Sequence, residues 1–91
     1  MGGTLDVRCE PVGGGWRCRV EVDAGGERTM HSVRVSQADL DRWGGGGPVE
    51  DLVRRSFGFL LEREPAGSIL REFDLAVIQR YFPEFDQTFG R

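Results

Sequence analysis

Two glycine pairs, Gly13-Gly14 and Gly25-Gly26, interrupt a stretch in which apolar and polar residues otherwise alternate. Segments 4–11 and 15–23 keep the two-residue period of half-buried strands. Two-residue hairpin loops need positive φ at central positions, which glycine adopts without steric cost. Taking both pairs as hairpin loops fixes a register across three strands, the third spanning about 27–36. Leu5 then faces Val22 and Thr29, Val7 faces Val20 and His31, and Cys9 faces Cys18 and Val33. Pro11, Trp16 and Val35 make the last rung. All of these share one side of the sheet, and a slip of one residue at either loop would turn a whole strand over. The sequence predicts an antiparallel β-meander over residues 1–36.

The opposite side collects Asp6, Arg8, Glu10, Arg17, Arg19, Glu21, Met30, Ser32 and Arg34. Arg8 opposes Arg19, with Glu21 and Asp6 diagonal to them and lessening the repulsion. Antiparallel sheets commonly leave one face in water. The alternative is a phosphate-binding platform built on Arg8, Arg17, Arg19 and Arg34.

His31 falls on the apolar side. A general base or metal ligand is the functional reading, but no motif sets a nucleophile or acid beside it. A hydrogen-bonded core histidine fits better, because buried polar groups are generally satisfied. Cys9 and Cys18 face each other and would form a cross-strand disulfide under oxidation. Two cysteines are too few for a disulfide scaffold, and the flanking Arg8, Arg17 and Arg19 point away. Both therefore read as reduced core thiols.

Ser36 followed by Gln37, Ala38 and Asp39 resembles a capping sequence, opening a short helix over 37–43 that turns Leu40 and Trp43 inward. Gly44 to Gly47 reads as a linker, since neither the Lys-Ser/Thr nor the leading strand of a phosphate loop accompanies it. The helical half, 48–86, opens on Pro48, whose missing N–H costs nothing in a first turn. Val49, Leu52, Val53, Phe57, Leu60 and Leu61 keep helical spacing, and Pro65 and Gly67 stop the run. Ser68 reads as the cap of a helical turn holding Ile69, Leu70 and Phe73. Asp74 reads as the cap of a further helix with Leu75, Ile78 and Phe82, ended by Pro83. Residues 87–91 form a tail. The fold class is α+β: a three-stranded antiparallel meander followed by two to four helices packed on one face, in a single domain.

All six phenylalanines and the only tyrosine lie between Phe57 and Phe89, in a chain with twelve arginines and no lysine. Phe57, Leu60, Phe73, Ile78 and Phe82 suffice to cover the apolar sheet face. Phe59, Tyr81, Phe85 and Phe89 exceed that need. Aromatic side chains are enriched at interface centres, so these four are the candidate partner-binding residues.

The wording from Ser56-Phe57-Gly58-Phe59-Leu60-Leu61-Glu62-Arg63-Glu64-Pro65 through Ser68–Ile78 to Arg80-Tyr81-Phe82-Pro83-Glu84 resembles a group of small bacterial proteins of no known activity. The likeness covers about residues 30–86. It implies a bacterial origin and a self-contained domain, and supplies no functional residues.

Net charge is −3 over 91 residues, so no global field attracts nucleic acid or acidic membranes. No apolar run approaches the ~20 residues of a bilayer span. Residues 1–6 show neither a secretory pattern nor, with Asp6 in place of Ser or Thr, a myristoylation one; the cytoplasm is the expected location. No nucleophile–base pair, cofactor fingerprint or metal-ligand spacing is present. Glu62 and Glu64, two apart on a helix, do not share a face. The expectation is a non-enzymatic protein-interaction or regulatory module without cofactor or metal, its partner another protein or a second copy. The alternative is a nucleic-acid-binding module using the arginine face.

Overall fold

The computed structural model describes residues 3–89. Strands β1 (Thr4–Val12), β2 (Gly15–Ala24) and β3 (Glu27–Ser36) form the antiparallel meander. The register is the one the glycine loops demand, from Leu5–Val22–Thr29 to Pro11–Trp16–Val35. Gly25 and Gly26 both have positive φ, at 61° and 78°, the twist of a type I′ turn. Val20, Val22, Val33 and Val35 are buried, while Arg8, Arg17, Arg19, Met30 and Arg34 are exposed. Pro11 sits on edge strand β1, where a missing N–H breaks no ladder bond.

Helix α1 (Gln37–Trp43) begins at the expected cap, Ser36, which with Asp39 forms a capping box. The Asp39 backbone N–H donates to Ser36 Oγ at 3.0 Å, and the Ser36 N–H donates to Asp39 Oδ2 at 3.3 Å. The Gly14 carbonyl accepts the Gln37 N–H at 3.2 Å, so the first hairpin loop also satisfies an orphan donor of this helix. Helix α2 (Val49–Leu61) follows Pro48 and packs Leu52, Val53, Phe57 and Leu60 into the core. It lies mainly beneath β1. Ser56, fully buried, donates its hydroxyl to the Leu52 carbonyl at 2.7 Å.

The segment after α2 corrects the expected helical turn at Ile69–Phe73. A single 3₁₀ turn at Ala66–Ser68 leads into extended chain and a fourth strand, β4 (Glu72–Asp74), parallel to β3. Ile69, Leu70 and Phe73 fit a helical spacing, but Ile69, Phe73 and Leu75 also fit a period of two, and those three are the buried ones. The ladder decides between them. The Ser32 N–H donates to the Arg71 carbonyl at 2.7 Å and the Leu75 N–H to the Arg34 carbonyl at 2.9 Å. Asp74 does not cap the next helix; it accepts from Arg34 Nε at 2.7 Å. Helices α3 (Ala76–Tyr81) and α4 (Glu84–Phe89) follow. Pro83 separates them by forcing Phe82 out of the helical region, to φ −131°. Helix continues through residues 87–89, which the sequence reads as tail.

Two inward-facing links stitch the sheet. His31 is 3% exposed; its Nδ1 donates to the Leu70 carbonyl at 2.7 Å, and Nε2 lies 2.9 Å from Thr29 Oγ1. A carbonyl only accepts, so Nδ1 carries a proton, and the histidine is the satisfied core residue the sequence suggests. Its bond anchors the extended 69–71 segment. Cys9 and Cys18 are joined as a disulfide with their Cα atoms 4.0 Å apart, which corrects the reduced-thiol reading. Facing positions at a non-hydrogen-bonded rung bring side chains close enough to bond. The bond closes a loop nine residues in sequence separation, so reduction is expected to destabilise the domain by about 2–3 kcal/mol in the chain-entropy account. Urea melts with and without a phosphine reductant check this, and coincident curves would assign the bond no stabilising part.

Candidate functional site

The four surplus aromatics do not form one surface. Phe59 (5% exposed) and Phe85 (fully buried) sit inside a cluster that ties α4 to α1 and α2. Phe85 meets Trp43 edge-on at 5.2 Å and Phe59 at 5.3 Å, and stacks on Phe89 at 4.4 Å. Phe59 also meets Phe82 and Phe89, and the Arg63 guanidinium lies over its ring at 3.6 Å, a cation–π contact. Polar bonds close the rim. The Trp43 indole N–H donates to Asp86 Oδ1 at 2.9 Å and Arg42 to Asp86 Oδ2 at 3.1 Å. The Trp43 bond, seconded by Arg42, holds the Asp86 carboxyl below the usual carboxylate range. Glu84 is likewise lowered, by its own backbone N–H and by Arg63 at 3.2 Å. Phe89 is half-buried at the edge of this cluster. Burial takes Phe59 and Phe85 out of reach of any partner.

Tyr81 is different: it is 69% exposed. It stands at the rim of an open groove of about 440 Å³ between α2, α3 and the 68–70 segment. Leu60, Ile69, Phe73 and Ile78 give the groove an apolar floor. Leu70, 51% exposed, stands at the same groove, and among the described residues Glu64 is the one charged residue in its wall. Glu64 forms no ion pair among the described residues. The sequence reads Leu70 as part of a helical turn and weighs Glu64 only as half of a carboxylate pair, so neither is marked there as a partner-binding residue. A two-residue period over Ile69–Leu75 is the signal for Leu70: with Ile69, Phe73 and Leu75 turned inward, Leu70 points out.

The arginine face is only partly free. Arg8, Arg17, Arg19 and Ser32 border a shallow depression with Glu10, and Arg17 and Arg19 form no ion pair among the described residues. Arg34 is engaged by Asp74, and Arg8 lies 3.7 Å from Asp6. Strand β4 sets Glu72 beside Ser32 and Asp74 beside Arg34, adding two acids the meander alone does not have. Among the described residues no three His, Cys, Asp or Glu side chains converge as a metal site, and no helix is long and apolar enough to cross a membrane.

Comparison of the chain with protein-family models, curated proteins and solved structures finds no match.

Proposed function

We infer that this chain is a non-enzymatic protein-interaction module that docks a partner segment in the groove beneath Tyr81 and Leu70. The observation that carries this is two large apolar side chains left in water beside an apolar floor. Scattered exposed apolar residues are ordinary, but ones that converge on a concavity mark binding surfaces. Glu64, which forms no ion pair among the described residues, favours a segment that brings a large apolar side chain next to a lysine or arginine. A cytoplasmic location belongs to the same proposal; the Cys9–Cys18 bond would there stand against a reducing pool.

Peptide display against the folded protein tests this. Enriched segments are expected to carry that apolar–basic pair, and Tyr81→Ala or Glu64→Lys should weaken their binding about 30-fold, as for an interface hot spot. Selected peptides indifferent to both substitutions would sink the reading. Arg17 and Arg19, without an ion pair among the described residues, favour the second reading, nucleic-acid binding, and retention on poly(U) at low salt that Arg17→Ala/Arg19→Ala abolishes would favour it instead.

A further inference from the structure

We propose that β1 pairs antiparallel with β1 of a second copy of this chain, joining two four-stranded sheets edge to edge. Strand β1 is the outer strand of the sheet order β1-β2-β3-β4, and nine residues long. In a hairpin closed by a two-residue loop, Val12 and Gly15 form the first hydrogen-bonded pair, and pairs then alternate. Cys9 opposite Cys18 is therefore a non-hydrogen-bonded rung, as its 4.0 Å Cα separation agrees. The N–H and C=O groups of Leu5, Val7 and Cys9 consequently point off the sheet, and among the described residues no backbone group bonds to them there. Pro11 shares that orientation but has no N–H to offer.

The charges on this strand suit a second β1 better than they suit β2. Within the hairpin, Asp6 directly opposes Glu21 and Arg8 directly opposes Arg19, arrangements that destabilise a ladder. Now let two β1 strands pair about a two-fold axis at Val7. Leu5 faces Cys9 of the second copy, Val7 faces Val7, and every outward N–H from Leu5 to Cys9 finds a carbonyl. Asp6 then faces Arg8 of the second copy, twice by symmetry. Both side chains stand well into water, 60% and 83% exposed. Other registers fail on identifiable grounds. A centre at Asp6 or Arg8 opposes like charges, a centre at Leu5 shortens the ladder, and a centre at Cys9 draws Pro11 into it. Edge charges ordinarily discourage pairing; here their alternating sign admits one register and repels its neighbours. Beneath the junction, the half-buried Leu5 and Cys9 lose water contact.

This surface is separate from the groove, so the two proposals stand or fall independently. Sedimentation velocity over a concentration series tests the pairing, with amide exchange as the local readout. Wild type should pass from monomer to dimer as concentration rises, while the amides of Leu5, Val7 and Cys9 gain protection. Arg8→Asp sets two acid pairs across the junction and should give monomer throughout. It also removes the Arg8–Arg19 repulsion, so misfolding does not explain a loss of dimer. The double exchange Asp6→Arg/Arg8→Asp restores complementarity and should restore the dimer, and Tyr81→Ala should leave it unchanged. A wild type monomeric at every concentration, a dimer that survives Arg8→Asp, or one the double exchange fails to rescue would overturn the proposal.

Discussion

Replacing Phe85 with alanine is expected to cost about 3–5 kcal/mol, the range for a fully buried phenylalanine. Its ring is enclosed by Trp43, Phe59 and Phe89 at 4.4–5.3 Å, and removal leaves a void lined by three aromatic rings that α4 alone cannot close. The residue belongs to a six-residue helix, too short to hold without tertiary packing. Without Phe85 the remaining ties are the Phe89 contacts with Phe59 and Arg55 at the cluster's edge, the part-buried Trp43–Asp86 bond and the exposed arginine bonds to Asp86 and Glu84, which are of modest worth in water. Thermal denaturation should show a melting temperature lower by about 4–8 °C per kcal/mol lost in a domain of this size. Trp43 fluorescence should shift to the red as its indole meets water. Phe89→Ala, at a half-buried position, should cost distinctly less. A Phe85→Ala protein melting within a degree or two of wild type would show that α4 is not docked in solution.

The second large effect lies on the other side of α2. Phe57 is fully buried, with its ring 5.2 Å from His31 and 6.1 Å from Phe73. It touches β3 through the histidine and β4 through the phenylalanine, so Phe57→Ala is expected to cost about 3–5 kcal/mol as well. Its signature is local. The Ser32 N–H bonded to Arg71 and the Leu75 N–H bonded to Arg34 should exchange faster than the β1–β2 amides, because β4 has only three residues and depends on packing to stay in the sheet. Phe57→Leu keeps most of the volume and should recover most of the loss. Uniform acceleration of all sheet amides would mean that Phe57 supports the whole fold rather than the β4 junction.

The contrast between those two phenylalanines marks how far the sequence is legible. Phe57 lies on the core face of a strongly periodic helix, and periodicity alone assigns it to the core. Phe59 sits at the edge of the same apolar arc, and the sequence leaves it between core and surface. Burial followed because Phe82, Phe85 and Phe89 converge on it across the break at Pro83, a convergence no local pattern encodes. Leu70 is the reverse case. Its spacing from Ile69 and Phe73 fits a helix, yet it is exposed because the segment pairs with β3. The arginine face was legible residue by residue, but its charge balance was not, since Glu72 and Asp74 reach it only through β4.

What the sequence by itself determined is the meander, the inward residues of every rung, the capped helix after β3 and the break at Pro83. Each depends on interactions within a few residues: glycine loops that set the turn, a two-residue period that sets the face, a serine that caps its own helix, a ring that blocks its neighbour. The tertiary structure alone decided that Ile69–Leu75 joins the sheet, that Phe59 and Phe85 are enclosed, and that Tyr81 and Leu70 are left at an open groove. Those outcomes rest on groups about forty residues apart, such as His31 with Leu70 and Arg34 with Asp74. A short extended segment gains a partner for its backbone only where a free strand edge lies beside it, and that edge exists only once the meander has folded.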